Sequence, residues 1–241
     1  MEASSGLSGG GFEAFLTRGK DLSGGRTLDG RKKNKGWTYN SGPFKGMHYV
    51  RTSIESAYYA KLLGVYEREL HDIIQQLSDH GFDRLIDIGA AEGYYAAGLA
   101  FLDQDIKVIA YEGDTRGQEL QSKMIAANGL QDRFTQKGWC DADALGKALA
   151  NCRNPLIIVD CEGAERTLLV PDQIPDLERA TILVEVHDFA HPEVDLAQEL
   201  RDRFSGTHHI HDVPMLPRQH TDFPTTGRWP LDSLSDATKA Y

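Results

Sequence analysis

Five carboxylates and one imidazole fall where a bound molecule would meet them. Asp87, Glu112, Asp141, Asp160 and Glu185 each end, or closely follow, a short run that reads as a β-strand, and His187 stands two residues beyond the last. In an open α/β sheet the ligand crevice lies outside the carboxyl ends of the strands, so these side chains share one rim. Titratable groups gathered in a cleft are a signal of function. Glu112 ends the run Val108-Ile109-Ala110-Tyr111 and is placed to accept hydrogen bonds from two ribose hydroxyls. The alternative is an exposed acid beside a helix capped by Asp114. Asp141 would accept from an exocyclic adenine amine, or cap the helix after it. His187 is the best general base, because an imidazole titrates near neutral pH, at about 6.5 when unperturbed. Asp160 would orient the imidazole or a bound hydroxyl. A core histidine at a strand end is the other reading of His187. The same region holds Asp160, Glu162, Glu185 and His187, an oxygen-rich set that would suit magnesium or manganese. The expectation is nonetheless that no metal is held.

The segment Leu85-Ile86-Asp87-Ile88-Gly89-Ala90-Ala91-Glu92-Gly93-Tyr94-Tyr95 joins a strand to a helix through a loop of small residues. Gly89 and Gly93 let backbone N–H groups come close to a ligand. The spacing is G-x-x-x-G, and the G-x-G-x-x-G of dinucleotide folds is absent, which counts against a nicotinamide oxidoreductase. An acid ending the strand suits a ligand with a positive or hydroxyl-rich part better than a bare pyrophosphate. Tyr94, Tyr95 and Trp139 flank this loop, as cofactor contacts or as ordinary core.

Alternating strands and helices must carry these groups. Strands are expected at 84–88, 106–112, 133–138, 155–160 and 180–187, and helices near 93–102, 115–128, 142–150, 163–169 and 193–204. Repeated βα units of this length predict a Rossmann-like, doubly wound α/β fold: a mostly parallel sheet with helices on both faces. The runs 155–159 and 181–184 are continuously apolar, as central strands are. Before this core, Leu62, Leu63, Leu70, Ile74 and Leu77 recur at helical spacing and predict a helix over 53–80, stopped by Gly81. Residues 1–45, rich in Gly and Ser with the basic run Arg31-Lys32-Lys33-Asn34-Lys35, are expected to be a flexible or loosely packed arm. Residues 46–241 would be one domain, with the core at 84–205 and a proline-broken C-terminal segment at 206–241 in which 208–211 could form a late edge strand.

The 241 residues carry a net charge of −10, which argues against a nucleic-acid partner. The three cysteines lack C-x-x-C spacing, so reduced thiols and a cytoplasmic protein are expected. No apolar run approaches a membrane span, and the N-terminus has neither the basic nor the apolar region of a secretory signal.

The loop Asp87-Ile88-Gly89-Ala90-Ala91-Glu92-Gly93, the pair Tyr111-Glu112 and the run Ala126-Ala127-Asn128-Gly129-Leu130 together resemble a class I S-adenosylmethionine-dependent methyltransferase. The segment Asp160-Cys161-Glu162-Gly163-Ala164-Glu165, followed by Glu185-Val186-His187, is similar to the signature of FkbM-like methyltransferases. The similarity covers roughly residues 60–205. Ala91 departs from it, standing where those proteins often have asparagine, so an amide contact is lost. The resemblance implies that S-adenosyl-L-methionine is held by Asp87, Gly89, Ala90, Ala91, Gly93, Tyr94, Glu112, Gly113, Asp141 and Asp160. Loop 89–93 would run along its homocysteine part, with Asp87 near the amino group. It further implies that Asp160, Glu162 and His187 face the methyl and a small-molecule acceptor, a hydroxyl of a sugar or secondary metabolite. A noncatalytic nucleotide-binding or scaffold module with the same fold is the rival expectation.

Overall fold

The computed structural model describes residues 12–18, 37–39, 41–50, 52–54 and 57–217. The basic run at 31–35 and the residues after 217 lie outside them. The βα alternation forms as the sequence predicts. Strands β4 (Arg84–Ile88), β5 (Lys107–Tyr111), β6 (Phe134–Lys137), β7 (Pro155–Val159) and β8 (Thr181–Val186) alternate with helices α3 (Tyr94–Leu102), α4 (Thr115–Asn128), α5 (Ala142–Leu149) and α6 (Glu165–Leu168). After β8 come α7 (Leu196–Phe204) and β9 (His208–Val213). Two earlier short strands, β2 (Trp37–Thr38) and β3 (His48–Tyr49), pair with each other as a separate antiparallel ribbon.

The main sheet has seven strands in the order β6-β5-β4-β7-β8-β1-β9, and every pair in it is parallel. The remaining strand, β1 (Phe12–Arg18), comes from the segment expected to be a loose arm. That expectation fails for these residues. Ala14, Phe15 and Leu16 are buried, and they align with Ile182, Leu183 and Val184 of β8. The Gly/Ser-rich flanks masked a short apolar run that gains ladder hydrogen bonds on both edges.

Alternation along the strands builds two cores. Leu85, Leu156, Ile158 and Leu183 face one layer, with Ile74, Leu77, Leu99 and Met124. Ile86, Ile157, Val159 and Ile182 face the other, with Leu145, Leu149, Leu196 and Leu200. All five residues of β7 are buried, so each large side chain there contributes about 1.5–3 kcal/mol. Helices cover both faces, and the fold is doubly wound.

The single helix expected over 53–80 is replaced by α1 (Tyr58–Leu63), a 3-10 turn at Arg68–Leu70 and α2 (His71–Asp79). Gly64 stops α1 in a left-handed conformation at φ 68°, and a Cβ there would lie 2.0 Å from the Ser41 carbonyl oxygen. The close approach of segment 41–42 therefore breaks the helix. The apolar periodicity ran on regardless, because Leu62, Leu70, Ile74 and Leu77 all enter the same core. Among the described residues no helix is long and apolar enough to cross a membrane.

Candidate active site

Chain order reverses its direction across the sheet between β4 and β7, and a crevice opens beyond their carboxyl ends. The loop after β4 shapes its floor. Gly89 has φ +83°, and a Cβ on it would stand 1.6 Å from the Asp160 carbonyl oxygen, so no other residue fits between the two strand ends. The N–H groups of Gly89 and Ala90 both donate to the Tyr111 carbonyl at 3.0 Å. Ala91 adopts φ 47°, a left-handed conformation that costs a residue with a side chain, and its N–H donates to Glu112 Oε2 at 2.6 Å. Gly93, at φ 89°, precedes α3 without any side-chain cap, so the first-turn amides depend on other partners.

A cleft of about 330 Å³ lies above this floor, walled by Gly89, Ala91, Glu112, Trp139, Asp160 and Glu162. Gly113 also lines it, with a Cβ position 3.4 Å from the Trp139 ring, and Trp139 itself is 76% exposed on the rim. Glu112 is more than an exposed acid. Its Oε1 accepts from the Asp114 N–H at 2.7 Å while Oε2 takes Ala91, which ties two loops together at the cleft wall. Asp114 separately caps α4 by accepting from the Arg116 N–H. Two cysteines, Cys140 and Cys161, also line the cleft. Burial pushes the Cys140 thiol up to about 12, and burial with the Glu165 charge pushes that of Cys161 up as well. Burial thus disfavours the thiolate form of both.

His187 is buried beside Asp160 and Glu162, two of the acids that line the cleft. Its Nδ1 lies 2.8 Å from Glu165 Oε1, and its Nε2 lies 3.6 Å from Asp160 Oδ1 and 3.7 Å from Glu162 Oε2. Burial opposes the imidazolium, but the Glu165 hydrogen bond and the charges of Glu165, Asp160 and Glu162 outweigh it, and the pKa is raised. Glu165 is fully buried. Burial alone would raise its pKa, yet the contacts with His187 and the Gly163 N–H bring it below the usual range. The ring is thus fixed by a carboxylate at one nitrogen, with the other directed toward Asp160 and Glu162. Glu162 has φ 55° and Gly163 φ 110°, so this turn is held in a conformation L-residues avoid. Asp160, Glu185 and His187 also offer ligand atoms within 4.8 Å of one another, a spacing a metal ion could bridge.

Asp87 sits beneath the loop with only 3% exposure, and its Oδ2 lacks a hydrogen-bond partner. Burial pushes its pKa up to about 7, partly offset by a hydrogen bond from the Ala96 backbone. An orphaned carboxylate oxygen below a backbone-lined cleft fits the ammonium group of an aminoacyl ligand. Four other expected contacts, Ala90, Gly93, Tyr94 and Asp141, are not on the cleft wall. Asp141 caps α5 by accepting from the Ala144 N–H at 2.8 Å, so the helix-cap alternative holds. Tyr94, the first residue of α3, packs among Tyr39, Phe44, Tyr66 and Tyr95, and Ala90 of the preceding loop joins the same core.

Glu165 and Glu92 were not singled out as site residues in the sequence. Glu165 sits inside the Asp160–Glu165 segment, and its signal is an acid spaced to turn back under a strand end. Glu92 is a charged residue within a loop of otherwise small residues, and the structure buries it completely.

No protein-family model matches the chain, and no curated protein matches it. Solved structures do. An O-methyltransferase from Bacillus cereus, crystallised with SAH, is 18% identical over 52% of each chain, with a TM-score of 0.36. The SAH-bound Podospora anserina methyltransferase PaMTH1 is 14% identical over 56% of this chain and 66% of its own, with a TM-score of 0.42. An O-methyltransferase family protein from Burkholderia thailandensis is 12% identical over 61% of this chain and 48% of its own, with a TM-score of 0.34. The chain thus spans between about half and two thirds of these proteins.

Proposed function

We propose that this chain is an S-adenosyl-L-methionine-dependent methyltransferase of FkbM-like type that methylates a hydroxyl of a small molecule, a sugar or secondary metabolite. The observation that carries the reading is the shared cleft: the Gly89–Gly93 loop, Glu112 and the Asp160–Glu162 turn meet there, with the Glu165–His187 pair behind the acids. When bound, the cofactor supplies an electrophilic methyl group on a sulfonium. Gly89 and Ala91 present backbone to it, Glu112 keeps unused lone pairs for ribose hydroxyls, and Asp87 offers its unpartnered oxygen toward an amino group. Gly113 and Trp139 offer a flat apolar surface for a purine.

The acceptor hydroxyl would lie by Asp160 and Glu162. With the cofactor bound to supply its methyl group, His187 Nε2 would take the proton of that hydroxyl as its oxygen attacks. Glu165 stabilises the imidazolium so formed. Holding acceptor and donor in line supplies much of the rate, because little other covalent chemistry is needed.

Calorimetry with S-adenosylhomocysteine tests the reading. Binding by the wild type, weakened in Glu112→Ala and not reproduced with NAD, is expected; a wild type that binds no S-adenosylhomocysteine overturns it. Turnover of a hydroxylated acceptor separates the enzyme from a scaffold module. The Asp160–Glu185–His187 spacing favours a second account of the proton, in which a divalent ion acidifies the hydroxyl. Activity that survives a chelator rejects that account.

A further inference from the structure

Away from the strand-end acids, the structure buries a lysine–carboxylate pair. Lys61 Nζ lies 2.8 Å from Glu92 Oε1, and the two side chains are only 4% and 0% exposed. The same Glu92 oxygen accepts from the Tyr49 hydroxyl at 2.7 Å, and Oε2 accepts from the Ile54 N–H at 3.2 Å. The ammonium group also stands 4.8 Å from the Tyr66 ring centre and 5.4 Å from that of Tyr94. Burying two charges carries a desolvation cost that their attraction does not reliably recover, so a pair like this is weak as a device for stability. Its position is more informative. Glu92 belongs to the loop that floors the cleft, next to Ala91, and Ile54 also lines that cleft. Tyr49, Ile54 and Lys61 all come from the segment preceding the βα core. One carboxylate therefore fastens that segment to the loop at three points.

We propose that Glu92 and Lys61 are positioning residues for the cleft: by holding Tyr49, Ile54 and Lys61 onto loop 89–93 they set the places of Ala91 and Ile54 on the wall that would receive an adenosyl ligand. The proposal rests on the S-adenosyl reading for its ligand. Ala91 is held at positive φ, a conformation it leaves unless its surroundings enforce it. Releasing Glu92 leaves the Glu112 bond as the hold on Ala91 described above, loosens the loop and adds an ordering step to ligand binding.

Two double variants separate positioning from mere support. Lys61→Met with Glu92→Gln removes both charges but keeps an amide to bond Tyr49 and Ile54. Lys61→Met with Glu92→Met removes the fastening as well. Both replace the ion pair without leaving a lone buried charge. The Gln pair is expected to bind S-adenosylhomocysteine within about threefold of wild type, and the Met pair about tenfold or more weakly. Faster amide hydrogen exchange at Ala91 and Ile54 should accompany the loss in the Met pair alone. Equal affinity and equal exchange in the two variants overturn the proposal. If the Met pair does not fold, Tyr49→Phe removes one fastening bond, and unchanged exchange at Ala91 then overturns it. A wild type that binds no S-adenosylhomocysteine sinks the functional reading alone, since exchange at these amides reports the clamp without any ligand.

Discussion

Replacing Gly89 with alanine should damage this protein more than an equally strained glycine elsewhere. Two costs add at this position. A side chain at φ +83° enters the left-handed region, which costs about 1–2 kcal/mol. The new Cβ would also stand 1.6 Å from the Asp160 carbonyl oxygen, and that neighbour is backbone at the end of β7. It cannot rotate aside as a flexible side chain would, so the ends of β4 and β7 must separate, at about 1–3 kcal/mol for overpacking of this kind. Gly129 is the internal control, with φ +68° and nothing within 4 Å of its Cβ position. Gly129→Ala therefore suffers the first cost without the second. For a domain of this size each kcal/mol lowers the melting temperature by about 2–4 °C. Gly89→Ala should melt roughly 2–12 °C below Gly129→Ala in thermal circular dichroism. It should also bind S-adenosylhomocysteine more weakly, because the strand ends that move form the cleft floor. Melting temperatures within about 1 °C of each other would refute the reasoning from contact.

Asp87 gives a pH test. The folded carboxyl keeps its proton up to about 7, whereas its ordinary value is 3.8, so the folded state binds the extra proton between these values and stability falls as pH rises across that window. Asp87→Asn should therefore gain on wild type in unfolding free energy from about pH 4 to about pH 7, by at most about 4 kcal/mol in denaturant titrations, while binding S-adenosylhomocysteine less well; a constant difference across that range contradicts the burial argument. His187 has the opposite bearing. Its raised folded pKa means that the charged ring stabilises the fold fully below its unfolded value, about 6.5, and that this is lost as pH rises through the folded value. The melting-temperature deficit of His187→Gln should shrink at alkaline pH, and turnover should fall by about 100-fold or more if the ring is the base. Asp141→Ala should cost about 1 kcal/mol through loss of the α5 cap and leave ligand affinity unchanged; a loss of affinity in calorimetry would return Asp141 to the cleft.

The βα core was legible because its two signals are local. Continuous apolar runs such as 155–159 are what a strand buried on both faces requires, and the acids at their ends follow from where such strands stop. In the structure the strand ends bring Glu112, Asp160 and Glu162 onto one cleft, with His187 beside them. Side-chain direction beyond the strand ends was not legible. Asp141 and Glu112 look alike in sequence, yet one turns back to cap its helix and the other spans two loops. The break at Gly64 depends on Ser41, a contact between segments that periodicity cannot report. β1 was hidden for a related reason: seven residues acquire strand character only through partners more than 160 positions away.

That distance bears on how the chain comes to be folded. On a ribosome, β1 emerges first and must wait for residues 181–186 before it can pair. Among the described residues β9 is the last strand and has β1 as its only neighbour in the sheet, so residues 208–213 dock after β1 has done so. Both of these pairings close very long loops, which slows folding. During synthesis the core from β4 to β8 can assemble alone, with the outer edge of β8 open. An open strand edge is a template for pairing with other chains, and this interval is where aggregation would begin.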